Sequence, residues 1–149
     1  MIEKKSGPGI HSVPLVELPL VLLVEKSSKI VTAEELWQRD KIDDPLICMP
    51  EAETICKHFQ QGLRRLGVDW FTGIEVSSID LIETYVANGF GIGLSVLVPK
   101  SELRPAIRAI VLSPKEFEPV IMGALWKGKT SALLQAFLDE LCLRAKRLL

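Results

Sequence analysis

The sequence predicts an α/β domain built on a mainly parallel sheet, and three observations carry that reading. Short apolar runs such as Leu20–Val24 and Ile92–Val98 lack polar alternation, as in strands covered on both faces. Between them lie segments with apolar residues at helical spacing, notably Ile55, Phe59, Leu63 and Leu66. Strand, helix, strand, helix and strand then alternate in the rhythm of right-handed βαβ crossovers.

The elements follow in order. Ile10–Leu15 is a short extended piece, because Pro14 and Pro19 bias the residues before them toward extended backbone. Leu20–Val24 is the first full strand. Thr32 opens a short helix with Glu35 three places on, a capping-box pattern, and Leu36 and Trp37 form its packing side. Asp43-Asp44-Pro45 punctuates, and Leu46–Met49 returns to strand. A longer helix follows Pro50–Thr54 and stops at Gly67, with Arg64 and Arg65 in its last turn complementing the helix dipole. Val68–Val76 is a strand that delivers the chain to Ser77 and Ser78.

Those two serines begin the most informative stretch. Ile82, Tyr85, Val86 and Gly89 share one helix face, Gly89, Gly91 and Gly93 end the helix and turn the chain, and Ile92–Val98 runs on as a buried strand. A helix start leaves backbone N–H groups unpaired and carries partial positive charge, so Ser77 and Ser78 stand where a small anion can be held. The plainer role for either serine is an N-cap. Strands at Ile107–Leu112 and Val120–Trp126 follow. Thr130 or Ser131 then caps a last helix with a stripe of Leu134, Phe137, Leu138 and Leu141. Gly123–Thr130 meets the letters of a phosphate-binding loop, but Ala124, Leu125 and Trp126 are strand-like where that loop needs a flexible cradle.

Composition narrows the function classes. The 149 residues are 48% hydrophobic and 25% charged, as in one soluble globular domain or most of one. With 18 basic and 19 acidic residues the net charge is -1, so the chain is not expected to bind DNA by itself. Cys48, Cys56 and Cys142 form no C-x-x-C pair, which fits a reducing cytoplasm, and Cys48 and Cys142 read as small buried hydrophobes. Cys56 and His58 lack a second ligand pair, so neither a metal nor another cofactor is expected. The apolar run Leu18–Val24 is far shorter than the roughly 20 residues of a spanning helix, and the opening MIEKKSGPG has no apolar signal core. No membrane partner is expected.

The run Ile82-Glu83-Thr84-Tyr85-Val86-Ala87-Asn88-Gly89-Phe90-Gly91-Ile92-Gly93 resembles the V-x-x-G-x-G-I segment in the effector-binding domain of LysR-type transcriptional regulators. Its surroundings match too: the strand at Pro19–Val24, the Thr-Ala-Glu-Glu-Leu helix start at Thr32, the Pro-Leu-Ile strand at Pro45 and the Ser-x-x-Leu-x-x-Phe helix at Ser131. The similarity covers about Ile10 to Leu141. It implies a periplasmic-binding-protein-like, type 2, two-lobed α/β domain that holds a small-molecule effector in its cleft. On that pattern residues 25–119 are a complete second lobe, and 1–24 with 120–149 are remnants of the first. The other elements of the first lobe, and the DNA-binding winged helix-turn-helix of the family, would precede residue 1. Apolar surface left bare by a partial first lobe implies a dimer or larger homo-oligomer.

For the effector, the resemblance implies contacts from Ser77 and Ser78, an apolar wall from Ile79, and further lining from Ser12 and Val24 beside the first crossing. The Ile-x-Thr-Tyr-Val wording is similar to the branch controlling sulfur assimilation, which binds sulfate-like anions or acylated serine; Val24 departs from the hydroxyl found there. The residues themselves support a small polar ligand, anionic at the helix start. Two other classes stay open. A periplasmic solute-binding protein would share the fold but carry a signal segment, and an enzyme on this scaffold would need convergent titratable groups. His11 and His58 fall in unrelated segments, and Asp80 and Glu83 read as surface or cap residues.

Overall fold

A computed structural model describes residues 9–148, and the chain forms two compact units. The larger is Pro19–Val120; the smaller combines residues 9–18 with 121–148. The chain opens in the smaller unit with β1 (Ile10–Leu18) and passes at Pro19 into β2 (Leu20–Glu25). Then come α1 (Ala33–Trp37), β3 (Leu46–Cys48), α2 (Thr54–Leu66), β4 (Thr72–Glu75), α3 (Ile79–Ala87), β5 (Ile92–Val96) and β6 (Ile107–Val111). It returns through β7 (Val120–Lys127) to α4 (Ala132–Leu148).

The larger unit is a five-stranded sheet in the order β4-β3-β5-β2-β6. β3 runs parallel to β4 and β5, whereas β2 is antiparallel to both of its neighbours, β5 and β6. The sheet is therefore mixed, with two parallel pairings at β3 and two antiparallel ones at β2, where the sequence rhythm predicts a mainly parallel sheet. β2 is no βαβ strand: it enters directly from β1 and runs against the strands that follow.

Period-two alternation along β2 explains why its run is apolar throughout. Leu20, Leu22 and Val24 join one buried cluster with Leu36, Phe59, Leu63 and Trp70, while Val21 and Leu23 join another with Ile47, Ile82 and Val86. Helices α1 and α2 cover the first face and α3 the second. Each fully buried Leu, Ile or Phe there contributes about 1.5–3 kcal/mol. Trp37, Phe59, Trp70 and Phe117 pack ring against ring, with centroids 5.5–6.5 Å apart.

Local chemistry sets the boundaries. α2 stops at Gly67, which takes the left-handed conformation at φ 68, and the Val68 N–H returns to the Leu63 carbonyl. β4 is shorter than the expected Val68–Val76, because Val68 completes that cap and Trp70 turns into the aromatic cluster, donating to the Asp44 carbonyl at 2.9 Å. At α1 the capping box does not form: Glu35 accepts from the Val31 N–H at 2.9 Å, one residue before the N-cap Thr32, whose side chain makes no cap bond. Arg64 and Arg65 lie in the last turn of α2, as expected for complementing its dipole, and donate to the Gln60 and Glu116 carbonyls.

In the smaller unit β1 pairs with β7, and α4 packs on β1. Ser131 caps α4 by accepting from the Leu134 N–H at 3.1 Å. Ala124, Leu125 and Trp126 lie within β7, so the backbone there is extended rather than wrapped as a phosphate cradle. Of the expected α4 stripe, Leu138 is buried and Leu134 and Leu141 are half-buried, but Phe137 points outward. Among the described residues no helix is long and apolar enough to cross a membrane.

Candidate functional site

The glycine motif places the start of α3. Gly93 lies under the helix: a Cβ there would fall 2.5 Å from Ile82 Cγ2 and 2.8 Å from Val86 Cγ2, so only glycine lets α3 press onto β5 this closely. A Cβ on Gly91 would fall 2.3 Å from the Pro45 carbonyl oxygen, the same oxygen that accepts the Ile92 N–H at 2.9 Å. α3 is thus locked along the sheet, and its N-terminus is held at the carboxyl ends of β3 and β4. In parallel sheets this is the edge at which ligands bind.

A cavity of about 350 Å³ opens there, lined by Pro50, Glu75, Val76, Ser77, Leu81 and Tyr85. Pro50 follows β3, Glu75 ends β4, and Leu81 and Tyr85 sit one turn apart on α3. Ser78 is the N-cap: its Oγ accepts from the Leu81 N–H at 3.3 Å. Ser77 takes no part in that cap, is exposed, and contributes to the cavity wall. The first N–H groups of α3 have no intrahelical acceptors and attract negative charge, whereas the Glu75 carboxylate, also among the lining residues, attracts donors. The site is two-poled rather than simply positive.

Not all the expected site residues come together. Ser77 and Ser78 do, in different roles. Ile79 is half-buried and packs against the cluster of Ile82 and Val86, so Leu81 and Tyr85 supply the apolar wall instead. Val24 is 2% exposed and lies past the Leu23–Gly93 pair, near the start of β5, at the opposite end of the sheet from Ser77. There it lines a separate cavity of about 170 Å³ with Glu25, Ser28, Asp44 and Gly91. Strand direction explains the mismatch: β2 runs against β5, so its last residue approaches the amino end of the parallel strands. Ser12 is half-buried on β1 and belongs to the smaller unit. A larger cavity of about 650 Å³ lies between α2 and β4, lined by Gln60, Arg64, Phe71 and Thr72 among others, but it has no helix start.

Two of the other titratable groups, Glu83 and His58, are tied to scaffold. Glu83 pairs with Arg104 at 3.5 Å, and Arg104 also donates to Thr84 Oγ1 at 2.7 Å. His58 meets the Glu118 carbonyl through Nδ1 at 2.9 Å. Pro50, Glu75, Val76, Leu81 and Tyr85 escape sequence reasoning as site residues. The available signal was their position, just after two adjacent parallel strands or on the outward side of α3.

The profile of the LysR substrate binding domain matches residues 1–144. Comparison with curated protein sequences gives no match. Among solved structures, HinK, a LysR family transcriptional regulator from Pseudomonas aeruginosa, is 20% identical with a TM-score of 0.77, over 100% of this chain and 52% of that one. The CcmR regulatory domain of Synechocystis PCC6803, in complex with 2-PG, is 19% identical with a TM-score of 0.71, over 92% of this chain and 67% of that one. The effector binding domain of QuiR, in complex with shikimate, is 16% identical with a TM-score of 0.72, over 99% and 69% respectively. The chain therefore spans about half the length of the HinK regulator.

Proposed function

The chain belongs to the LysR substrate-binding domain family, with its periplasmic-binding-protein-like, type 2 fold, and from that premise we propose that it is the ligand-sensing part of a transcriptional regulator. It binds a small effector at the start of α3, without chemical turnover, and so controls DNA binding by a separate domain. The observation that carries this reading is the cavity of about 350 Å³ at the carboxyl ends of β3 and β4, whose lining includes Ser77, Leu81 in the first turn of α3, and Glu75. The ligands in the CcmR and QuiR structures support a small-molecule effector. A lining that combines a helix start with a carboxylate favours an effector with an anionic group for the first and an ammonium or hydroxyl donor for Glu75. The two compact units correspond to a second lobe and part of a first. The chain works in the cytoplasm and self-associates through apolar residues of its smaller unit, where Leu133 is 82% exposed.

Thermal unfolding against sulfate, simple carboxylates, amino acids and acylated serine tests the site. A ligand at 100 times its dissociation constant stabilises by about 2.7 kcal/mol, which moves the midpoint by several degrees. Ser77→Ala should reduce that shift. Ser78→Ala should instead cost about 1 kcal/mol of stability with or without ligand, through the lost cap. Glu75→Gln should weaken amine-bearing ligands and strengthen simple anions. A ligand-induced shift indifferent to both Ser77→Ala and Glu75→Gln would remove the site from this cavity.

A further inference from the structure

The turn that ends α3 carries the only asparagine of the chain, Asn88, and the residue after it is Gly89. Asparagine is among the chemically labile side chains, and it is most labile before glycine, where no side chain shields the next backbone nitrogen. Asn88, Gly89 and Phe90 are all exposed. Gly89 is left-handed at φ 79, and the Gly89 and Phe90 N–H groups return to the Val86 and Tyr85 carbonyls at 3.0 and 3.1 Å, a Schellman end. The Asn88 carboxamide donates to the Thr84 carbonyl at 2.7 Å.

These bonds hold the labile atoms apart. Ring closure requires the Gly89 nitrogen to swing next to Asn88 Cγ, and the Asn88 ψ of 7 with the bond from Gly89 to Val86 prevents this while the turn is formed. The turn itself is weakly held. No basic residue in the last turn of α3 offsets the negative end of its dipole. The Glu25 carboxylate lies against the same turn, with Oε1 3.0 Å from the position of a Cβ on Gly89. Exposed helix ends open far more readily than the core, so Asn88 is released while β5 and the body of α3 stay formed.

We propose that Asn88 is a modification site, at which water converts the carboxamide to aspartate or isoaspartate through a succinimide. The Gly89 backbone nitrogen gives up its proton and attacks Asn88 Cγ; the Cγ–Nδ2 bond breaks and ammonia leaves, taking up that proton. Water then opens the ring. Its OH goes to one ring carbonyl carbon and its hydrogen to the nitrogen: cleavage at Cγ leaves aspartate, and cleavage at the Asn88 main-chain carbonyl carbon leaves isoaspartate. One water enters and one ammonia departs, with no change of oxidation state. Aspartate at position 88 puts a carboxylate where a donor met the Thr84 carbonyl, at the negative end of the helix and beside Glu25. Isoaspartate adds a methylene to the main chain just before Gly91, which sits so close to Pro45 that a Cβ would fall 2.3 Å from its carbonyl oxygen. Either product loosens the seating of α3 on the sheet. The modification rests on no reading of the effector.

The test incubates the full folded chain in mildly alkaline and mildly acidic buffer, with a urea-unfolded sample alongside, and maps tryptic peptides by mass. Asn88 falls in the peptide of residues 66–100, bounded by Arg65 and Lys100. The expected result in alkaline buffer is a gain of one mass unit in that peptide and its resolution into two products, one of which accepts a methyl group from protein isoaspartyl methyltransferase. Conversion should be slower in acid, where the attacking nitrogen keeps its proton, and faster in urea, where the turn is gone. Asn88→Gln should abolish the mass gain, because its longer side chain closes a ring far more slowly. Asn88→Asp should lower the thermal unfolding midpoint by several degrees. Conversion in urea but none in the folded chain, or none in either, would overturn the proposal. An Asn88→Asp chain as stable as the wild type would overturn the loosening of α3.

Discussion

Trp70 and Trp126 occupy two kinds of environment. Trp70, in the larger unit, is 4% exposed, packs edge-on against Trp37 and Phe59, and donates its indole N–H to the Asp44 carbonyl. Trp126, on β7 of the smaller unit, stacks on His11 at 5.7 Å, and its Nε1 is buried with no acceptor among the described residues. The contrast extends to the surrounding side chains. The larger unit buries apolar residues on both faces of its sheet, whereas the smaller leaves Met122, Leu125, Leu133 and Phe137 exposed. The larger unit also exposes Phe71, Val31 and Phe90, so the difference lies in the core: a sheet covered on both faces builds two buried clusters, whereas in the smaller unit only Val16, Leu18, Leu138 and Ala145 are buried among the described residues.

Truncating Phe59 and Phe137 gives the widest separation. Phe59→Ala should lower the unfolding free energy in urea by about 3–5 kcal/mol, because a fully buried ring leaves a cavity among three other aromatics. Phe137→Ala removes a ring that is 60% exposed and should change it by less than about 0.5 kcal/mol; under the proposed self-association it should also lower the sedimentation coefficient. Equal losses would mean that the smaller unit has a core of its own. Gly91→Ala should come next, at about 1–3 kcal/mol, because its methyl group meets the Pro45 backbone rather than a side chain that can move aside. A neutral result there would show that the turn into β5 has slack.

The tryptophans themselves give the smallest and sharpest contrast. Trp70→Phe should cost about 1 kcal/mol or somewhat more, since the Asp44 carbonyl loses its donor. Trp126→Phe should be near neutral or slightly stabilising, because it deletes a buried donor that already lacks a partner. If Trp126→Phe instead costs as much as Trp70→Phe, its indole N–H is satisfied in solution by a neighbouring chain or ligand.

Much of this molecule follows from local sequence alone. Uninterrupted apolar runs required strands covered twice, Gly67 and Gly89 allowed left-handed helix ends, and Ser77 or Ser78 before Ile79 supplied a cap; all are decided within a few residues along the chain. The glycines at 91 and 93 were legible as a turn but not as clearances, since the atoms they make room for, at Pro45, Ile82 and Val86, belong to other elements. The site divided the same way. The place of Ser77 before a helix was legible in the sequence, but Glu75, Pro50, Leu81 and Tyr85 became its neighbours in the cavity only through strand order, and Val24 was carried away from it by the reversed direction of β2. Local pattern fixes which atoms are capped or buried; the direction in which strands are laid side by side decides which residues share a wall, because one reversal moves a strand's last residue to the other end of the sheet.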